Sequence, residues 1–188
     1  MEVIETNIEG LIIIEPKIYG DDRGYFYESF SAKEFAEKVD PHVVFVQDNQ
    51  SYSSYGVLRG LHFQNPPYAQ SKLVRVIQGR VIDVAVDIRK SSPTYGKYIA
   101  VELTGENHRQ FFVPRGFAHG FVVLSETALF QYKCDNLYVP QSEGAIIWND
   151  PDININWNIP VENVKLSAKD KLHGILKNFD SPFTYGEY

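Results

Sequence analysis

An all-β fold, a sandwich or barrel, is predicted for this 188-residue chain by three observations. Short apolar, β-branched runs recur about every 10 residues, the spacing of antiparallel sandwiches and barrels. Gly, Pro, Asn, Asp and Ser punctuate those runs. Tyr and Phe are abundant, 12 of each, and aromatics favour pleated, half-buried strands.

The predicted strands follow in order. Leu11 to Glu15 is β-branched and closed by Pro16. Tyr25 to Phe30 alternates aromatic and polar residues. Then come Val43 to Gln47, Gly56 to Gln64, Leu73 to Gln78, Val81 to Ile88, Lys97 to Leu103, Gln110 to Val113, Gly120 to Val123, Ala128 to Tyr132 and Gly144 to Trp148. Gln78-Gly79-Arg80 lies between two apolar runs and reads as a hairpin turn. Helical signals are few. Ser31 with Glu34 three residues later forms a capping box for a helix over 31–38. Ser167 is a plausible cap for a short helical turn over 167–172. One domain is expected over residues 1–188, with the barrel core at about 40–150 and helical turns at about 160–180. The tail after Asp180 reads as loosely held.

Bulk properties narrow the function. A net charge of −6 argues against nonspecific nucleic-acid binding, which needs a basic face. The single cysteine, Cys134, cannot form an internal disulfide. No apolar run approaches the ~20 residues of a membrane span, and the first residues lack a signal-peptide pattern, so a cytoplasmic, membrane-free protein is expected.

Two histidines sit inside apolar strand-like stretches. His62 follows Arg59-Gly60-Leu61, and His119 follows Pro114-Arg115-Gly116-Phe117-Ala118. An unpaired polar group in an apolar interior costs about 1–3 kcal/mol, so such residues need partners or a purpose. Arg59, Lys72 and Arg75 cluster near His62, and cations beside a histidine suit a phosphate or an oxyanion. In a period-2 strand Phe130, Tyr132 and Cys134 share one face and Gln131 and Lys133 the other. Cys134 is read as a small core residue. Asp83 and Asp87 alternate with apolar residues and read as structural ion-pair partners. By default Glu143 reads as a turn residue and Asp170 as a solvated helix carboxylate.

The stretch from Pro114 to His119 resembles the second signature of the cupin barrel, where the histidine often binds metal. The first cupin signature would supply a second histidine and a glutamate after His62. Phe63, Gln64 and Lys72 stand there instead, and a lysine beside a dication is unfavourable.

Eight strings in order then resemble the dTDP-4-dehydrorhamnose 3,5-epimerase family, sugar-nucleotide epimerases built on a cupin-type jelly-roll β-barrel with a few short peripheral helices. They include Asp22-Arg23-Gly24-Tyr25-Phe26-Tyr27-Glu28, Gln47-Asp48-Asn49-Gln50-Ser51, Gly56 through Gln64, Lys72 through Val76, Gly79 through Arg89, Ser92 through Gly96, Val113 through Phe121, and Leu166 through Asp170. The resemblance implies a nucleotide-linked 4-keto-6-deoxyhexose substrate, proton abstraction α to the ketone, and no cofactor or metal. It implies His62 as base, Asp170 as its hydrogen-bonding carboxylate, Tyr132 as proton donor and Lys72 as the cation at the C4 oxygen. It also implies substrate contacts by Arg23, Phe26, Glu28, Gln47, Asn49, Arg59, His119, Tyr138, Glu143 and Lys169. Arg23, Arg59, Lys72, Arg115 and Lys169 would form a local basic pocket. A homodimer is implied, with the amino-terminal strand exchanged so that Arg23, Phe26 and Glu28 act across the interface. Three alternatives stay open: a single-carbon epimerase, a metal-dependent cupin, and a non-catalytic sugar-nucleotide binder.

Overall fold

A computed structural model describes residues 1–187. Thirteen strands and one α-helix appear in chain order: β1 (Glu2–Glu5), β2 (Ile12–Glu15), β3 (Tyr19–Asp21), β4 (Gly24–Phe26), α1 (Ala32–Lys38), β5 (Gln47–Ser54), β6 (Leu58–Gln64), β7 (Lys72–Gln78), β8 (Arg80–Asp87), β9 (Tyr98–Thr104), β10 (Gln110–Val113), β11 (Phe117–Val123), β12 (Thr127–Cys134) and β13 (Glu143–Ala145). Two antiparallel sheets face each other as a jelly roll. One runs β1-β2-β10-β7-β12-β5 and the other β13-β6-β11-β8-β9. The all-β prediction holds, and so does the N-cap half of the capping box: Ser31 Oγ accepts from the Glu34 amide at 3.3 Å, while the Glu34 carboxylate accepts from Lys38 and the Met1 amino group.

The core has two layers. Val74, Val76, Ala85, Leu103, Phe111, Phe121 and Phe130 fill the space between the sheets. Leu58, Leu61, Phe63, Ile82, Val84, Val122, Trp148, Trp157 and Phe183 fill a second layer on the outer face of the five-stranded sheet. That sheet is therefore buried on both faces, which is why β8 and β11 read as continuous apolar runs rather than alternating ones.

The second layer is supplied by the C-terminal segment. Parallel bridges join Val57 to Lys165, Ile146 to Gly174 and Lys90 to Thr184. Phe183 is 1% exposed, and a side chain that size contributes about 1.5–3 kcal/mol on burial. The described part of the tail, residues 181–187, is thus docked at Phe183 and Thr184, not loosely held. Helical content there is limited to 3₁₀ turns at Val161–Asn163 and Leu176–Asn178 and a hydrogen-bonded turn around Lys169.

Other expectations need correction. Gly79 does not close a hairpin. Its φ of +86° turns the chain from β7 in one sheet to β8 in the other, and a Cβ there would meet the Thr127 carbonyl at 2.1 Å. The predicted strand at Val43 to Gln47 ends where the real one, β5, begins, because polar Gln47 to Gln50 lacks the expected apolar signal. Tyr25 to Phe30 is strand only to Phe26. β1 and β2, outside the expected 40–150 core, complete the six-stranded sheet.

One irregularity positions the site. His119 pairs with His62 across β11 and β6, and Phe121 pairs with Arg59. Two residues on β11 thus span three on β6, a β-bulge at Gly60-Leu61. A regular strand would put Arg59 and His62 on opposite faces. The bulge turns both toward the inter-sheet cavity. Gly60 sits at φ +144°, and a Cβ on it would lie 2.6 Å from the Gly120 Cα. Gly60→Ala is expected to lower stability by about 1–3 kcal/mol, read as a lower urea midpoint. An unchanged midpoint contradicts the close-approach account.

Candidate active site

The two histidines that the sequence set apart come together, but their partners differ. His119 Nε2 lies 2.8 Å from Asp83 Oδ1, both buried in the five-stranded sheet. Burial raises the Asp83 carboxyl, and the charge of His119 opposes that. His62 Nε2 lies 2.5 Å from Asp170 Oδ1, across 108 residues of sequence. A carboxylate only accepts hydrogen bonds, so Nε2 carries the proton and the Nδ1 lone pair is free.

Asp170 is held from several sides. It lies between two bridged points, Lys165 and Gly174. Ser167 Oγ donates to Asp170 Oδ2 at 2.8 Å and accepts from the Asp170 amide at 3.1 Å. The Ser167 cap that the sequence suggested thus orients a carboxylate. Asp170 itself is 3% exposed, not the solvated residue expected by default.

Two adjoining cavities meet at His62, Lys72 and Tyr132. One, of about 240 Å³, adds Gln47, Asn49, Gln64, Gln70, Tyr138 and Glu143. The other, of about 270 Å³, adds Arg59, His119, Ser167, Lys169 and Asp170. Stacked Phe121 and Phe130, with ring centroids 4.1 Å apart, line the second. His62 comes from one sheet, and Lys72 and Tyr132 from the other, so they approach the shared space from opposite sides. Tyr132 shares a face with Phe130 and Cys134 as the alternation predicted, while Gln131 and Lys133 point outward to Arg75 and Asp48.

Burial moves three groups toward their neutral forms. Desolvation lowers the His62 pKa below 6.5, although Asp170 pulls it back up. Desolvation lowers the Lys72 ammonium from 10.5, and among the described residues it has no hydrogen-bond or ion-pair partner. Desolvation raises the Tyr132 phenol above 10. Burial likewise pushes the Cys134 thiol up to about 11, as suits an inert core residue. At the mouth, burial would raise the Glu143 carboxyl, but Lys169 outweighs it and leaves the pKa lowered. Glu143 also accepts from the Tyr138 hydroxyl at 3.1 Å, so Tyr138, Glu143 and Lys169 form one connected rim.

Gln47 Nε2 donates to Asn49 Oδ1 at 2.9 Å, and Gln47 Oε1 accepts from the Tyr138 amide. Arg59 donates to Ser53. Ser51 Oγ is buried on the cavity wall without a hydrogen bond, leaving it open to a bound molecule.

Some expected cations lie elsewhere. Arg75 faces outward on β7 to Gln131 and Tyr27. Arg115 is paired with Asp135 at 3.0 Å. The Arg23 side chain is 86% exposed and, among the described residues, pairs only with Asp21 on its own hairpin. Phe26 and Glu28 line a separate groove of about 350 Å³ against Met1 and α1. Within one chain, then, Arg23, Phe26 and Glu28 are not brought to His62. Sequence reading missed His173, whose Nε2 lies 3.5 Å from Asp170 Oδ1. His62, Asp170 and His173 are the one group of three metal-capable side chains among the described residues, and His119 is outside it.

A jelly roll with an oriented imidazole facing a half-buried tyrosine and lysine has the parts that proton transfer needs. The profile of the dTDP-4-dehydrorhamnose 3,5-epimerase family matches residues 5–178, and the chain belongs to that family. It is 58% identical to the Shigella flexneri dTDP-4-dehydrorhamnose 3,5-epimerase over 90% of this chain and 93% of that one. The crystal structure of the Elizabethkingia anophelis dTDP-4-dehydrorhamnose 3,5-epimerase superimposes with a TM-score of 0.92 at 52% identity, covering 96% of this chain and 99% of that chain. A Legionella pneumophila 3,5-epimerase, solved with dTDP-4-keto-L-rhamnose, superimposes with a TM-score of 0.91 at 54% identity over 95% and 94% of the two chains. No helix among the described residues is long and apolar enough to cross a membrane.

An NMR titration of the His62 ring is expected to give a midpoint below 6.5. Asp170→Asn should move it lower still, because the carboxylate is what raises it against burial. A midpoint at or above 6.5, or an upward move in Asp170→Asn, contradicts this electrostatic account.

Proposed function

We propose that this enzyme epimerises C3 and C5 of dTDP-4-dehydro-6-deoxy-D-glucose, giving dTDP-4-dehydro-L-rhamnose, with His62 as base and Tyr132 as acid. Family membership and the product-bound Legionella relative support the substrate. The observation that carries the roles is the Asp170-held His62 opposite Tyr132 in one cavity.

Hydrogens on C3 and C5 are acidic because each is α to the C4 ketone. His62 Nδ1 takes one, and the charge passes to the C4 oxygen as an enolate. Asp170 accepts the hydrogen bond from Nε2 and stabilises the imidazolium. Lys72, half-buried and without a hydrogen-bond or ion-pair partner among the described residues, supplies the cation for the enolate oxygen. Tyr132 then returns a proton from the opposite side, inverting the centre. Both residues are reset through solvent before the second carbon reacts. Their shifted pKa values suit this cycle, since the base must start neutral and the acid must start protonated.

Arg59, His119 and Lys169 are assigned to the sugar and diphosphate, and Gln47, Asn49, Tyr138 and Glu143 to the nucleoside. Arg59, Lys72 and Lys169 make this part of an acidic protein locally basic. The functional unit is taken to be a homodimer in which the amino-terminal β3–β4 hairpin of each subunit reaches its partner's site. Its Tyr19, Tyr25 and Phe26, which stay largely exposed in their own chain, and its exposed cation Arg23 support this. A nucleotide-sugar substrate and an unbridged Cys134 fit the cytoplasm.

Turnover in deuterated water is expected to place solvent deuterium at both C3 and C5, read by NMR of the product. Deuterium at one carbon selects a single-carbon epimerase, and none at either overturns the reading. His62→Ala should cut kcat by about 10²-fold or more while dTDP still binds; unchanged turnover contradicts its role.

A further inference from the structure

We propose that His62, Asp170 and His173 form an inhibitory site for a divalent cation of the zinc or cobalt kind. The inhibitory half rests on His62 being the base. The donor atoms of the three residues all lie within 4.8 Å of one another. His62 and Asp170 are 2.5 Å apart, and His173 Nε2 is 3.5 Å from the same carboxylate oxygen. His173 Nε2 is buried and makes no hydrogen bond. Its approach to Asp170 thus falls short of a hydrogen bond, and a buried nitrogen in that position has a donor pair to offer.

A tetrahedral zinc with bonds of 2.0–2.1 Å holds its donors about 3.3 Å apart. The His173–Asp170 separation already matches. The His62–Asp170 pair must open by less than about 1 Å, a small side-chain rotation. The two imidazoles stand edge to face at 83°, with centroids 5.8 Å apart. His62 and Asp170 line the larger cavity, which gives a cation its route and leaves room for water as a fourth ligand.

Lys72 sets the selectivity. Its charge acts on His62 and opposes any cation nearby. A hard ion such as Mg²⁺, bound mainly through charge, gains little there. An ion that gains from imidazole donors overcomes it.

Binding blocks the base by lone-pair occupancy. In the free enzyme the proton is on Nε2 and the lone pair on Nδ1. When a cation takes the Nε2 lone pair, the ring's proton moves through solvent to Nδ1. The ring keeps one proton and has no lone pair left for the sugar. This site differs from a cupin metal centre, with which it shares His62 alone, because His119 is committed to Asp83.

The full chain is titrated with Co²⁺ alone, and the visible absorption band of the bound ion is followed. One equivalent should saturate it. His173→Phe and His173→Gln should weaken the band's affinity by about tenfold or more, with metal-free turnover retained as the check on folding. Zn²⁺ should inhibit wild-type turnover, reversibly with a chelator, and inhibit both variants far less. No Co²⁺ band, or a band unchanged in both variants, overturns the site. A His173-dependent band with turnover untouched by Zn²⁺ overturns the inhibition and the assignment of His62 as base. Absence of turnover in metal-free wild type overturns the functional reading and leaves the Co²⁺ result to decide the site.

Discussion

The hydrogen bond between His62 and Asp170 is the contact on which the rest of this molecule turns. It joins the inner face of a β-sheet to a turn 108 residues away. Each half is set in place by its own surroundings. Asp170 belongs to a segment with little regular structure, fixed by parallel bridges on both sides and by Ser167. His62 belongs to a strand whose bulge at Gly60 decides which way the ring points. The C-terminal segment earns its place in the fold twice, since it also carries Leu176 and Phe183 into the outer core layer.

A cavity lined by His62, Lys72, Tyr132, Arg59 and His119 in the middle of a barrel takes space that apolar side chains would otherwise fill. Each of these groups loses water on burial, and the cost falls on the charged forms. The result is an imidazole, an amine and a phenol all moved toward neutrality. Those shifts favour a free base and a protonated acid on opposite walls, the starting state that proton exchange at a carbon α to a ketone requires. On the proposed mechanism Lys72, left without a partner among the described residues, gains its counter-charge when an enolate forms. The fold offsets these losses by burying its five-stranded sheet on both faces.

Much of this was legible in the residues. Apolar spacing located most strands, the capping box located α1, and alternation oriented Tyr132. The conspicuous polarity of His62 and His119 inside apolar runs pointed to the cavity wall, and their pairing across β6 and β11 bears this out. What stayed hidden was long-range. Nothing local separates His62, bound to Asp170, from His119, bound to Asp83. Arg75 and Arg115 are near in sequence but turned away, because strand alternation and the Asp135 ion pair decide their direction. β5 is too polar to read as a strand because its inner residues face the cavity. Phe183 looked like part of a loose tail because one aromatic cannot reveal the groove that receives it.

The central claim is that Asp170 fixes the tautomer of His62, leaving Nδ1 as the proton acceptor. A ¹⁵N-resolved NMR spectrum of the His62 ring at neutral pH tests it most directly. The account requires one protonated nitrogen, Nε2, with its proton shifted strongly downfield by the short bond to Asp170. A proton on Nδ1, or two forms averaging rapidly, would contradict it.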